Sequence, residues 1–107
     1  MATLKAGEAA QSAAALGGVS VVTATGTVTL TGGSTVYQFI NPNGAARDVV
    51  LPALAAGDAG RAFSIKNTGA AGNVLTVKSA AGTQLGPLLA NGYAMALVWS
   101  GSQWEVL

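Results

Sequence analysis

The sequence predicts an all-β protein: a small antiparallel β-barrel or sandwich, jelly-roll-like, carrying a mobile N-terminal arm. Three observations lead there. From residue 19 onward, short runs of Val, Ile, Leu and Thr are broken at close intervals by Gly, Pro and Asn, the signature of short strands in a compact antiparallel architecture. Half of the 107 residues are hydrophobic and 8% are charged, against about 25% charged in ordinary soluble domains, so the chain is too apolar to be disordered. The opening MATLKAGEAAQSAAALGG is Ala-rich, lacks alternation and ends in Gly17-Gly18. The chain is therefore divided into an arm, 1–18, and one β domain, 19–107, which is the size of a single domain.

The strands follow in order. VSVVTATGTVTL, 19–30, is rich in β-branched residues and reads as two short strands broken at Gly26. After the Gly32-Gly33 turn, Val36, Gln38 and Ile40 alternate with Tyr37 and Phe39. NPNGAAR is a loop, and DVVLP is a short strand stopped by Pro52. ALAAGDAG is a loop or a single helical turn. In RAFSIKN, Phe63 and Ile65 face inward; in NVLTVKS, Leu75 and Val77 do the same. TQLGPLLA leads to Asn91-Gly92, a hairpin signal. YAMALVWS and QWEVL are the last two strands, meeting at Gly101-Ser102.

Two features stand out. In GYAMALVWSGSQWEVL, Met95, Leu97 and Trp99 line one face while Ala94, Ala96 and Val98 line the other, and neither face is polar. Something must cover the second. There is also an internal echo, in which GAARDVVLPALAAGD from Gly44 matches GAAGNVLTVKSAAGT from Gly69 without a gap. It reads as shared loop composition or as two turn-strand-turn units, short of the three or more copies that a solenoid needs.

Composition narrows the function. Lys5, Arg47, Arg61, Lys66 and Lys78 are scattered, without a basic run or interleaved aromatics, which argues against a nucleic-acid partner. No stretch approaches the roughly twenty apolar residues of a membrane span. Glu8, Gln11 and Ser12 interrupt what would be the apolar region of a secretory signal, so no export is expected. Without His or Cys there is no Ser-His or Cys-His pair, and no imidazole or thiolate metal ligand. Asp48 and Asp58 form a catalytic pair only if folding places them across one groove. Asn41, Asn43 and Asp48 depart from the calcium-loop pattern and read as turn formers. The expectation is a protein that is not an enzyme, with no catalytic residue, cofactor or metal. Trp99 and Trp104 are core, interface or sugar-stacking residues.

FINPNGAARDVVLP, AGDAGRAFSIKNTGAAGNVLTVKSAAGTQL and LANGYAMALVWSGSQWEVL together resemble small β-structured virion proteins of tailed bacteriophages. The shared features are N-P-N-G-A-A-R-D-V-x-L-P, F-x-I-x-N-T-G, V-L-T-V and a final G-x-x-W, within residues 39–107. These motifs describe turns and core strands; residues 1–33 match no known pattern. The resemblance implies a module of head decoration proteins, head fibres and tail fibres, usually homotrimeric. Fibres are longer, so size favours a capsid decoration, or cement, protein made in the host cytoplasm. It would bind the outer surface of the expanded head at local threefold positions. Its partners would be its own copies and the major capsid protein.

On this reading Tyr93, Met95, Leu97, Trp99 and Trp104 form the trimer interface, because obligate interfaces resemble a core cut in two. Ala2, Thr3, Leu4 and Lys5, in the arm, contact the capsid. The alternative is a tail- or head-fibre module that binds host-surface glycan through Tyr37, Trp99 or Trp104.

Overall fold

The computed structural model describes residues 18–107, so the arm lies almost entirely outside the described residues. It contains eight strands: β1 (Val19–Thr23), β2 (Val28–Thr29), β3 (Tyr37–Asn41), β4 (Arg47–Val50), β5 (Ala62–Asn67), β6 (Leu75–Lys78), β7 (Ala94–Trp99) and β8 (Trp104–Val106). ALAAGDAG yields one short 3-10 turn, Ala56–Asp58. The described chain is otherwise strand and loop, in two sheets, so the all-β expectation holds.

Pairing within the sheets departs from expectation. One sheet has the order β1-β3-β5-β7-β8 and the other β2-β4-β6. β1, β3 and β5 are mutually parallel, as are β2, β4 and β6; only β7 and β8 run antiparallel to their neighbours. Through β6 the chain alternates strictly between the sheets. It winds as a coil of three turns, each turn giving one strand to each sheet, and β7 and β8 then close one end of the larger sheet. No closed barrel forms, and the parallel pairing excludes jelly-roll connectivity. Alternation of side chains is identical in parallel and antiparallel strands, so the sequence pattern was blind to this difference.

The turns explain the coil. At Asn91-Gly92 the chain crosses between sheets: residues 84 and 89 bridge antiparallel to Lys78 and Leu75 of β6, whereas β7 joins the other sheet. Only Gly92 of this pair has positive φ, 82°, so neither two-residue hairpin turn forms, since both need positive φ at the first position. Where β3 and β5 end, an Asn side chain turns the chain instead. Asn41 Oδ1 accepts from Asn43 N–H, and Asn67 Oδ1 accepts from Gly69 N–H. These side-chain turns mimic backbone turns, and they are what N-P-N and N-T-G encode. The internal echo thus falls on two successive turns of the coil. Its offset of 25 residues differs from the true register, in which Arg47 sits beside Leu75, because the second loop is longer. The first coil turn, β1 and β2, shares no such echo, which is why three copies were not apparent.

The core lies between the sheets. Ile40, Phe63, Ile65, Leu97 and Trp99 from the larger sheet meet Val49, Leu51, Leu75 and Val77 from the smaller side, all buried. Phe63, Ile65, Leu75 and Val77 point inward as expected. Gln38, also inward, is held locally: Nε2 donates to Thr35 O and Oγ1 at 2.9 and 3.0 Å.

At one corner of the coil the packing is tight. A Cβ at Gly69 would sit 2.5 Å from Pro42 Cδ and 3.0 Å from Asn41 Oδ1. Pro42 is buried and its ring is rigid, so the corner must open to admit a methyl group. Gly69→Ala is expected to cost about 1–3 kcal/mol, lowering Tm by roughly 5–20 °C for a domain of this size. A thermal melt followed by circular dichroism checks it.

Candidate interaction surface

Most described charges serve the scaffold. Arg47 folds back onto its loop, Nε donating to Pro42 O at 2.8 Å. Arg61 Nη1 donates to Ala62 O at 2.8 Å, Nη2 donates to Ser34 O, and its guanidinium lies 4.4 Å from the Phe63 ring centre. Asp58 Oδ2 accepts from Ala55 N–H, closing the 3-10 turn. Lys78 Nζ donates to Asp48 Oδ2 at 3.0 Å, bridging β6 and β4. That pair is partly exposed, so Asp48→Asn should change stability by less than about 1 kcal/mol. A urea-denaturation midpoint close to that of the unaltered chain is the expected result.

The other two, Lys66 and Glu105, stand on the outer face of the larger sheet, where Glu105 Oε2 accepts from Gln103 Nε2 at 2.6 Å. That face is formed in rows by the register: Val19 beside Tyr37, Ser64 and Ala96; Val21 beside Phe39, Lys66 and Ala94; Ala62 beside Val98 and Glu105. A sheet with one face on the core normally shows water a polar face. This one carries valine, alanine and two aromatic rings beside Ser64, Lys66, Glu105 and the polar row of Thr23 and Asn41. Among the described residues, no strand or helix covers it.

The sequence-based interface residues fall elsewhere. Met95, Leu97, Trp99 and Trp104 are in the core of their own chain, and only margins of Met95, Trp99 and Trp104 reach the surface, in grooves. Inward positions on β7 pack against the second sheet. Four of the five thus pack inward, where the sequence placed them facing a copy. Tyr93 is 68% exposed, and Ala94, Ala96 and Val98 form the outward face that sequence left uncovered. Ala2, Thr3, Leu4 and Lys5 lie outside the described residues.

The two tryptophans act as ties. Trp99 Nε1 donates to Ala55 O at 2.9 Å and Trp104 Nε1 to Pro52 O at 3.0 Å, with their rings 5.5 Å apart and edge-on. Their exposed margins line a groove of about 490 Å³ with Pro52, Ser79, Thr83 and Gln103. Tyr37 stands on the outer sheet face, away from this groove, so the three aromatics do not converge.

The other candidate clusters are likewise dispersed. Asp48 lines a shallow groove with Arg47, Gly26 and Thr27, and Asp58 is not part of it. Asn41 and Asn43 are joined to each other in their turn. No group of three or more acidic, His or Cys residues is placed to hold a metal ion among the described residues. No helix among them is long and apolar enough to cross a membrane. Comparison with protein-family models, with curated proteins and with solved structures finds no match.

Proposed function

We propose that this chain is a structural protein of a tailed-phage virion: a homotrimeric decoration protein that binds the outside of the expanded head at local threefold positions and braces it. The observation that carries the reading is the outer face of the larger sheet. Val19, Val21, Tyr37, Phe39, Ala94 and Val98 form a surface with two charged neighbours, and none of it is needed for the chain's own core. Contiguous apolar surface of this kind marks a site of protein association. The resemblance of its motifs to those of phage virion proteins supplies the context. Three copies associate through this sheet, and the arms, residues 1–18 with Ala2, Thr3, Leu4 and Lys5 foremost, engage the major capsid protein.

Each arm binds weakly, because ordering a flexible segment offsets part of its contact energy. Three tethered arms gain roughly a hundredfold or more in avidity where the lattice lets them engage together. With so few charges, attachment should change little between low and moderate salt. Co-sedimentation with emptied, expanded capsids tests the reading, comparing the full chain with one lacking residues 1–18. Full-length protein should pellet with capsids and the truncated form should remain largely in solution. Failure of the full chain to pellet rules out decoration.

One observation favours a second reading, a fibre module that binds host glycan: the groove floored by Trp99 and Trp104, with Ser79, Thr83 and Gln103 at its walls. Glycan binding in the absence of capsid binding would select it.

A further inference from the structure

Among the described residues, the larger sheet has free edges at its opposite ends, and neither bears a charged side chain where it is open. On β1, Gly18 O accepts from Tyr37 N–H at 3.2 Å and Ala24 N–H donates to Asn41 O at 2.8 Å. Parallel pairing alternates, so Gly18, Ser20, Val22 and Ala24 turn their backbone groups toward β3. The N–H and C=O of Val19 and Val21 therefore point off the edge, while their side chains stand 57% and 80% exposed on the outer face.

At the other end, β8 covers only the second half of β7. The ladder begins at Leu97, with one further bond from Leu107 N–H to Ala96 O at 2.9 Å. Asn67 N–H donates to Tyr93 O, which turns Tyr93 and Met95 toward β5 and Ala94 away from it. The backbone N–H and C=O of Ala94 meet no protein partner among the described residues. They open beside a groove of about 420 Å³ walled by Pro87, Leu88, Val106 and Leu107, without a charged side chain in its lining.

Natural sheets guard free edges with Lys, Pro, bulges or inward charges. VSVVT on β1 has none of these. We infer that the β1 edge of one copy docks beside Ala94 of the next, with Val19 and Val21 entering the apolar groove as the two open backbones meet. The partner is a second copy because the two surfaces complement each other: an apolar ridge and an apolar groove, each with unpaired backbone, at opposite ends of one sheet. The charges left on the face, Lys66 and Glu105, have opposite signs, so like copies do not repel across it. Such a contact is head-to-tail and must close into a ring to stay finite. The inference rests on the homotrimer proposed above and names its contact.

The chain has no Cys, so Val21→Cys and Leu88→Cys each introduce a unique, exposed thiol. A short bismaleimide should cross-link the two variants when they are refolded together, and neither variant alone. Cross-linking of Val21→Cys by itself would show edges meeting across a twofold axis and overturn the inference. Val21→Glu and Leu88→Glu, each with its β-type circular dichroism retained, should lose the trimer in light scattering at micromolar concentration. If both charged variants remain trimeric, the contact lies elsewhere and the trimer stands. If the unaltered chain is a monomer, contact and trimer fall together.

Discussion

Asn67→Leu should lower the free energy of unfolding by about 4 kcal/mol, the largest single loss expected from a change of similar size. Asn67 is fully buried at the end of β5. Its Nδ2 donates to Asn73 O at 2.8 Å and Leu89 O at 2.9 Å, and its Oδ1 accepts from Gly69 N–H at 2.8 Å. One side chain thus joins three segments: the corner turn after β5, the loop before β6, and the strand-like segment that pairs with β6. Leucine fills the space but leaves Asn73 O and Gly69 N–H without their partner, while Leu89 O keeps its bond from Leu75 N–H. Each costs about 1–3 kcal/mol, with relaxation and water entry offsetting part of the sum. Asn67→Asp tests the same point with little change of shape. It keeps the acceptor for Gly69, loses both donors, and sets a carboxyl group against two carbonyls. Urea denaturation should show both variants with lowered midpoints and an m-value close to that of the unaltered chain. A loss below about 1 kcal/mol for Asn67→Leu would mean that the three loops hold without it.

That residue also shows where sequence reading reached its limit. N-T-G is legible as a turn, and its Asn as a turn former, because that chemistry is local. The burial of Asn67, and its bond to Leu89 twenty-two residues later, depend on the coil bringing the 84–89 segment alongside β6. The inward set Phe63, Ile65, Leu75 and Val77 was legible for the same local reason: alternation places side chains on faces. Whether neighbouring strands run parallel is decided by where each connection goes. The β1–β2 and β3–β4 links cross to the opposite sheet, although their Gly and Pro content reads equally well as hairpin turns.

The surface was half legible. Two apolar faces on β7 could be read from AMALVW, and one of them does remain outside. Sequence assigned the bulkier set to the partner, whereas burial puts it in the core, where larger side chains remove more area from water. The surface is instead assembled from residues far apart in the chain. Val19, Tyr37 and Ala96 share one row only because β1, β3, β5 and β7 lie side by side. The scarcity of charge pointed to such a surface, since six of the seven described charged residues are hydrogen-bonded within the chain.

The second large effect is expected at Trp104. β8 is a three-residue edge strand, and Trp104 is its sole buried residue. Its ring lies 5.5 Å from both Phe63 and Trp99, and its indole N–H is bonded to Pro52 O. Trp104→Ala removes the packing and the tie at once, at about 3–5 kcal/mol. Trp104→Phe keeps most of the packing and forfeits the indole bond, at about 1–2 kcal/mol for the stranded carbonyl. The two variants should also differ in kind. Without its anchor β8 should release, and hydrogen exchange should quicken at Leu107 and Ser100, whose amides bond to Ala96 O and Gln103 O. Exchange in β3 and β5 should quicken only as far as global stability falls. Release of β8 bares the whole outer edge of β7, and an unguarded edge recruits further strands, so Trp104→Ala should aggregate where Trp104→Phe stays soluble. If Trp104→Ala is as stable and as soluble as the unaltered chain, β8 is held by its backbone bonds alone.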